Sequence, residues 1–122
     1  MPREFSRSRR VAELFQREMA ALIQRFIQDD EVGLITVSSV DVSPDLKNAR
    51  IYFTCMENTT DIQHIEKRLN EHAGQFRYEL SHSLTLRSVP RISFAYDYSL
   101  ERANKLRSLI DSLHIDKPDS DR

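Results

Sequence analysis

Apolar residues recur at intervals of three and four along four stretches of this 122-residue chain and alternate along three others. From residue 6 to 28, Val11, Leu14, Phe15, Met19, Leu22, Ile23, Phe26 and Ile27 share one face, the stripe of an amphipathic helix. Ser6 or Ser8 can cap it. Asp29-Asp30-Glu31, unfavourable at the negative end of a helix dipole, should stop it before Gly33. The segment LITVSSVDVSPDLKNARIYFTCM predicts a hairpin. Ile35 and Val37 alternate, as do Val40 and Val42, but the two pairs differ in parity, which asks for a bulge near Ser38-Ser39. Ser43-Pro44-Asp45 opens the turn. Ala49, Ile51, Phe53 and Cys55 form the inward face of the second strand, with Arg50, Tyr52, Thr54 and Met56 on the other.

Thr59-Thr60-Asp61 then caps a further helical stretch. Ile62, Ile65 and Leu69 make one stripe and Phe76, Leu80 and Leu84 a second, joined at His72-Ala73-Gly74. Inside a helix Gly74 costs about 1 kcal/mol relative to Ala. Its position asks for a kink, a helix C-cap or the close approach of another backbone. Ile92, Phe94 and Tyr96 restore a period of two, with Val89-Pro90 where that strand begins. Ser99 can cap a short last helix whose stripe is Ala103, Leu106, Ile110 and Leu113. The long connection between strands two and three makes them parallel neighbours. The expected fold is α+β, a three-stranded mixed sheet with helices on one face. Residues 1–113 form one domain in this reading, and residues 114–122 a disordered acidic tail.

Composition narrows the function classes. Hydrophobic residues make up 39% and charged residues 30% of the chain, and no apolar run approaches the roughly 20 residues that span a bilayer. MPREFSRSRR is basic with no apolar segment after it, unlike a secretory signal. One cysteine, Cys55, permits no internal disulfide. A cytoplasmic protein is expected. The net charge of −1 hides an uneven distribution: Arg3, Arg7, Arg9 and Arg10 crowd the first ten residues, and Asp111, Asp116, Asp119 and Asp121 the last twelve. Fourteen of the 18 basic residues are arginine, whose planar fork suits phosphate and stacked bases.

Enzyme chemistry finds little footing. His64, His72, His82 and His114 are scattered, with no pair at helical ligand spacing beside a third ligand. Cys55 lies on an apolar strand face, the setting of a structural thiol. Two glycines cannot write a phosphate loop or a dinucleotide fingerprint. What remains is basic: Arg77, Arg87 and Arg91 lie near the helix junction and the turn after it, opposed by Glu79 alone over residues 74–91. With the arginine-rich N-terminus they would make a phosphate-binding face if the fold gathers them. Gly74 precedes a helix N-terminus, which offers N–H donors to phosphate; equally, it lets two helices pack closely.

VSPDLKNARIYF, the helix–Gly–helix of residues 61–84 and LRSVPRISFAYDYS together resemble bacterial ribosome-binding factor A, in the same order from about Ser6 to Leu113. The resemblance implies a type II KH domain. KH domains usually clamp nucleic-acid backbone with a GXXG loop, whereas this family carries an interrupted helix with an Ala-x-Gly kink. The matching triplet is His72-Ala73-Gly74, with histidine in place of the first alanine. The resemblance further implies a monomeric, non-enzymatic factor without cofactor or metal. Such a factor binds the free 30S subunit and 16S rRNA, supports late maturation and processing near the rRNA 5′ end, matters in the cold, and leaves with the help of other assembly factors, including GTPases. The expected RNA contacts are Arg7, Arg10, Arg77, Arg87 and Arg91, with Gly74 forming the kink. The competing reading is a protein-interaction adaptor that uses the hairpin and an exposed sheet edge.

Overall fold

A single extra residue in the first strand sets which side chains reach the core. In the computed structural model, which describes the backbone of residues 2–84 and 88–116, the chain runs α1 (Pro2–Phe26), β1 (Leu34–Val42), β2 (Asn48–Met56), α2 (Ile62–Glu71), α3 (Ala73–Ser83), β3 (Arg91–Tyr96) and α4 (Ser99–Asp116). The sheet order is β1-β2-β3, β1 antiparallel and β3 parallel to β2. Val37 lies opposite Phe53 and Ser39 opposite Tyr52, which leaves Ser38 unmatched. This bulge is the one the parity change demands, and it turns both apolar pairs of β1 toward the same face.

Three helices cover that face. α1 packs on β1, α2 and α3 on β3, and α1 also meets α3. Phe15 and Met19 of α1, Ile51 and Phe53 of β2, Ile65 and Leu69 of α2, and Phe76 and Leu80 of α3 are fully buried. Phe76 sits edge-on to Phe26 and Phe94, with centroids 6.2 and 5.7 Å away, a favourable aromatic geometry. Asp61 caps α2 by accepting the His64 N–H at 2.8 Å. The fold is the α+β arrangement expected from the pattern, and its element order is the KH-like one that the resemblance implies.

Four details differ from the sequence reading. Helix α1 begins before Ser6 and Ser8, which lie within it rather than at its cap. Ser8 is three and seven residues ahead of Val11 and Phe15, on the buried stripe, and is itself buried. Helix α4 is long, not short, and continues through residues 114–116, where the tail was placed; residues 117–122 lie outside the described part. The stripe of α4 is not packed: residues 99–113 are exposed throughout, with Leu100 at 67% and Leu113 at 65%. The root of the helix explains this. The Asp97 N–H donates to the Phe53 carbonyl, and its carboxylate accepts the Ser38 hydroxyl at 2.6 Å and the Ser99 N–H at 2.9 Å. The bulge thus fixes the direction in which α4 leaves the sheet. The Ser38 hydroxyl, then Ser99, hold the Asp97 carboxyl below its ordinary range, so this anchor weakens only in acid, as pH falls through that lowered value.

The free edge of β3 is not open either. Asn70 of α2 pairs with Phe94 as a strand would: its Nδ2 donates to the Phe94 carbonyl at 3.2 Å and its Oδ1 accepts the Phe94 N–H at 2.9 Å. Glu66 Oε2 accepts the Tyr96 N–H at 3.0 Å. An adaptor could not extend the sheet at these residues. Asn70→Ala leaves two strand groups unpaired and should cost about 1–3 kcal/mol, read as a lower urea midpoint at unchanged slope.

Candidate nucleic-acid interface

The helix junction is a one-residue interruption. His72, at φ −94° and ψ 2°, occupies the bridge region. Its N–H donates to the Leu69 carbonyl at 3.1 Å, a tightened last turn. The imidazole Nδ1 donates to the Arg68 carbonyl at 3.1 Å, and the ring stacks on Phe76 at 6.0 Å. The histidine therefore caps α2 and packs at the start of α3. This corrects the expectation for Gly74. The break falls two residues earlier, and Gly74 lies inside the first turn of α3 without a positive φ. A Cβ built on Gly74 would meet nothing within 4 Å. Neither a kink nor close helix packing requires glycine there. Gly74→Ala should raise stability by about 0.5–1 kcal/mol, visible as a higher denaturation midpoint.

Arg77 is close by on α3 and exposed. Its Nε donates to the Val89 carbonyl at 3.0 Å, which holds the guanidinium against the segment leading into β3. Arg91 opens β3, and its backbone N–H donates to the Lys47 carbonyl at 2.8 Å. That bond draws the hairpin turn alongside. Lys47, Arg77, Ser88 and Arg91 line one open hollow of ≈ 430 Å³. Asp45 lines the hollow as well, engaged in its own turn: the Ser43 hydroxyl donates to it at 2.6 Å and the Lys47 N–H at 3.1 Å. The serine bond first, then the backbone bond and the nearby Lys47 charge, hold its carboxyl below the usual range. The salt bridges among the described residues are Arg25–Glu79, His64–Glu31 and Arg68–Asp29. None involves Lys47, Arg77 or Arg91. Three cations against one carboxylate, Asp45, with no salt bridge between them, leave the hollow net positive and suited to an anionic ligand with several phosphates.

The other expected contacts are placed differently. Arg7 and Arg10 are exposed near the start of α1. They precede Arg25, which meets Glu79 of α3 at 3.9 Å, by about 22 Å or more along the helix. No salt bridge among the described residues joins them to Arg77 or Arg91. Arg87 lies outside the described residues. Lys47 is not among the residues that arginine content singles out, and its place beside Arg77 depends on the long-range pairing of the hairpin turn with β3. Cys55 is half-buried, and burial pushes its thiol pKa up, the reverse of an activated nucleophile. Among the described residues no three His, Cys, Asp or Glu side chains are grouped to hold a metal, and no helix is long and apolar enough to cross a membrane.

Comparison with known proteins agrees with the architecture. The family model for ribosome-binding factor A matches residues 7–110. A ribosome-binding factor A from Nitrosococcus oceani is 48% identical over 111 residues, covering 91% of this chain and 87% of its own. One from Stutzerimonas stutzeri is 46% identical over 114 residues, covering 91% and 88%. Among solved structures, ribosome-binding factor A from Thermus thermophilus superposes with a TM-score of 0.64 at 20% identity, over 73% of this chain and 94% of its own. A homology model of the Thermus thermophilus protein, fitted into a cryo-EM map of its complex with the 30S subunit, gives a TM-score of 0.63 at 21% identity, over 71% and 91%.

Proposed function

Because the chain belongs to the ribosome-binding factor A family, we propose that it binds the free 30S subunit through 16S rRNA and assists late maturation, including processing near the rRNA 5′ end, without catalysis. It works in the cytoplasm, holding one rRNA conformation and leaving as the subunit matures, with other assembly factors such as GTPases aiding release. The observation that carries this reading is the hollow in which Lys47, Arg77 and Arg91 converge without a salt-bridged carboxylate. Arg7 and Arg10 supply further phosphate contacts outside it, Arg87 is a further proposed contact, and the bare backbone at Gly74 lies beside the hollow.

Co-sedimentation with free small subunits and with whole ribosomes, across a salt series, tests the proposal. Binding should favour free subunits, and log affinity should fall with log salt by about 0.7–0.9 for each phosphate neutralised. Salt-insensitive binding would overturn the RNA contact. A second reading, the protein adaptor that uses the hairpin and a sheet edge, draws also on the exposed leucines of α4, because the edge of β3 is paired at Phe94 and Tyr96. RNase separates the two: an adaptor stays on its partner after digestion, and an RNA binder comes off.

A further inference from the structure

Gly74 has no reason within the molecule to be glycine. Its backbone does not require it, and no neighbour needs the room, yet it costs the helix about 1 kcal/mol. Four residues on, Tyr78 is 61% exposed. Residues four apart stack on one helix face, and a helical side chain leans toward the N-terminus. Tyr78 thus shares a helix face with the turn that Gly74 leaves bare, and the two line one hollow. His82 stands behind it, with ring centroids 4.4 Å apart and planes 43° apart. The His82 Nδ1 donates to the Tyr78 carbonyl at 3.1 Å, and the Ser81 hydroxyl donates to the same oxygen at 2.6 Å. Gly74, Arg77, Tyr78, Ser81 and Val89 line a second, shallow hollow of ≈ 370 Å³. Arg77 and Val89 belong to both hollows. An exposed aromatic ring, a gap and a cationic cluster thus adjoin on one surface.

We propose that Tyr78 is the stacking platform for one unpaired RNA base seated over Gly74, with Arg77 leading the adjoining phosphate into the hollow of Lys47 and Arg91. The inference rests on the RNA-binding reading above and defines its ligand as single-stranded. A base inside an A-form duplex has both faces stacked and cannot offer one to a side chain, whereas unpaired bases are recognised by stacking on aromatic rings. Stacking on tyrosine tolerates any base, so this subsite selects for strandedness rather than sequence. The missing side chain at position 74 is then room for the ligand, and the energetic cost of the glycine is met by binding.

The test uses the full chain, a short unstructured labelled RNA and the duplex of the same strand, with fluorescence anisotropy at several salt concentrations. The parent should prefer the single strand. Tyr78→Ala should weaken that binding about 5- to 150-fold with the salt slope unchanged, because no charge is lost. Tyr78→Phe should bind close to the parent. Gly74→Leu, which fills the gap, should lose as Tyr78→Ala does, while Arg77→Gln should flatten the slope by about 0.7. If Tyr78→Ala binds like the parent while Arg77→Gln is weakened, the platform is wrong and the RNA reading stands. A preference for duplex also overturns the platform. If the parent binds neither RNA, or Arg77→Gln and Tyr78→Ala both match it, the platform and the RNA reading fall together.

Discussion

Gly33→Ala should destabilise the protein severely, under conditions in which Gly74→Ala folds better than the parent. Gly33 has φ 66° and ψ −146°, a combination essentially confined to glycine. An added Cβ would overlap the Met56 carbonyl oxygen and come within 2.7 Å of the Asn58 nitrogen. Both are backbone atoms with little freedom to step aside. Met56 ends β2 opposite Leu34 of β1, and the Glu31 carbonyl accepts the Thr59 and Thr60 N–H groups. Backbone strain and overpacking together should cost on the order of 3–5 kcal/mol, a large share of the roughly 5–15 kcal/mol that holds a domain of this kind together. Urea denaturation of the two alanine variants makes the comparison. A Gly33→Ala midpoint equal to that of the parent would refute the account of this loop. Both glycines interrupt otherwise regular sequence, and they are opposites: one is required by the chain itself, the other leaves a space on the outside.

The second large effect is on binding. Replacing Lys47, Arg77 and Arg91 together by glutamine should lower affinity for free small subunits on the order of 100- to 1000-fold at physiological salt, since each contact contributes about 0.9–1.4 kcal/mol. The salt slope should flatten by about 2 to 3 units. All three side chains are exposed, so the far-ultraviolet spectrum and denaturation midpoint should stay near those of the parent, and the loss reads as binding rather than unfolding. The Arg7→Gln, Arg10→Gln pair is the comparison. These residues are on α1, away from the hollow, and should flatten the slope by less than the triple change. An unchanged slope in the triple variant would mean that this hollow does not meet the phosphate backbone. That outcome would move the search to α1 and to the exposed face of α4.

The chain's one-dimensional pattern determined the element order, the bulge and the buried face. Helical and strand periods are local: Phe15, Met19, Leu69 and Phe76 fall on their stripes whatever packs against them, and the parity change from Val37 to Val40 has no remedy but an extra residue. Arginine content and the absence of catalytic groupings pointed to phosphate contact, and the motif resemblance pointed to the family. Three things required the tertiary structure. Whether a stripe is buried depends on what stands opposite it. The stripe of α4 looked like the others and stays in solvent, because Ser38 and Asp97 direct that helix off the sheet. Which cations share a surface depends on chain segments far apart in sequence. Lys47 reaches Arg77 and Arg91 only through the pairing of the hairpin turn with β3, while Arg7 and Arg10, for all their density in sequence, stay on α1. What a glycine is for depends on the atoms its Cβ would meet. Periodicity made Gly74 the conspicuous one and left Gly33 as loop; the packing of Met56 and Asn58 against Gly33, and the open space around Gly74, reverse that order.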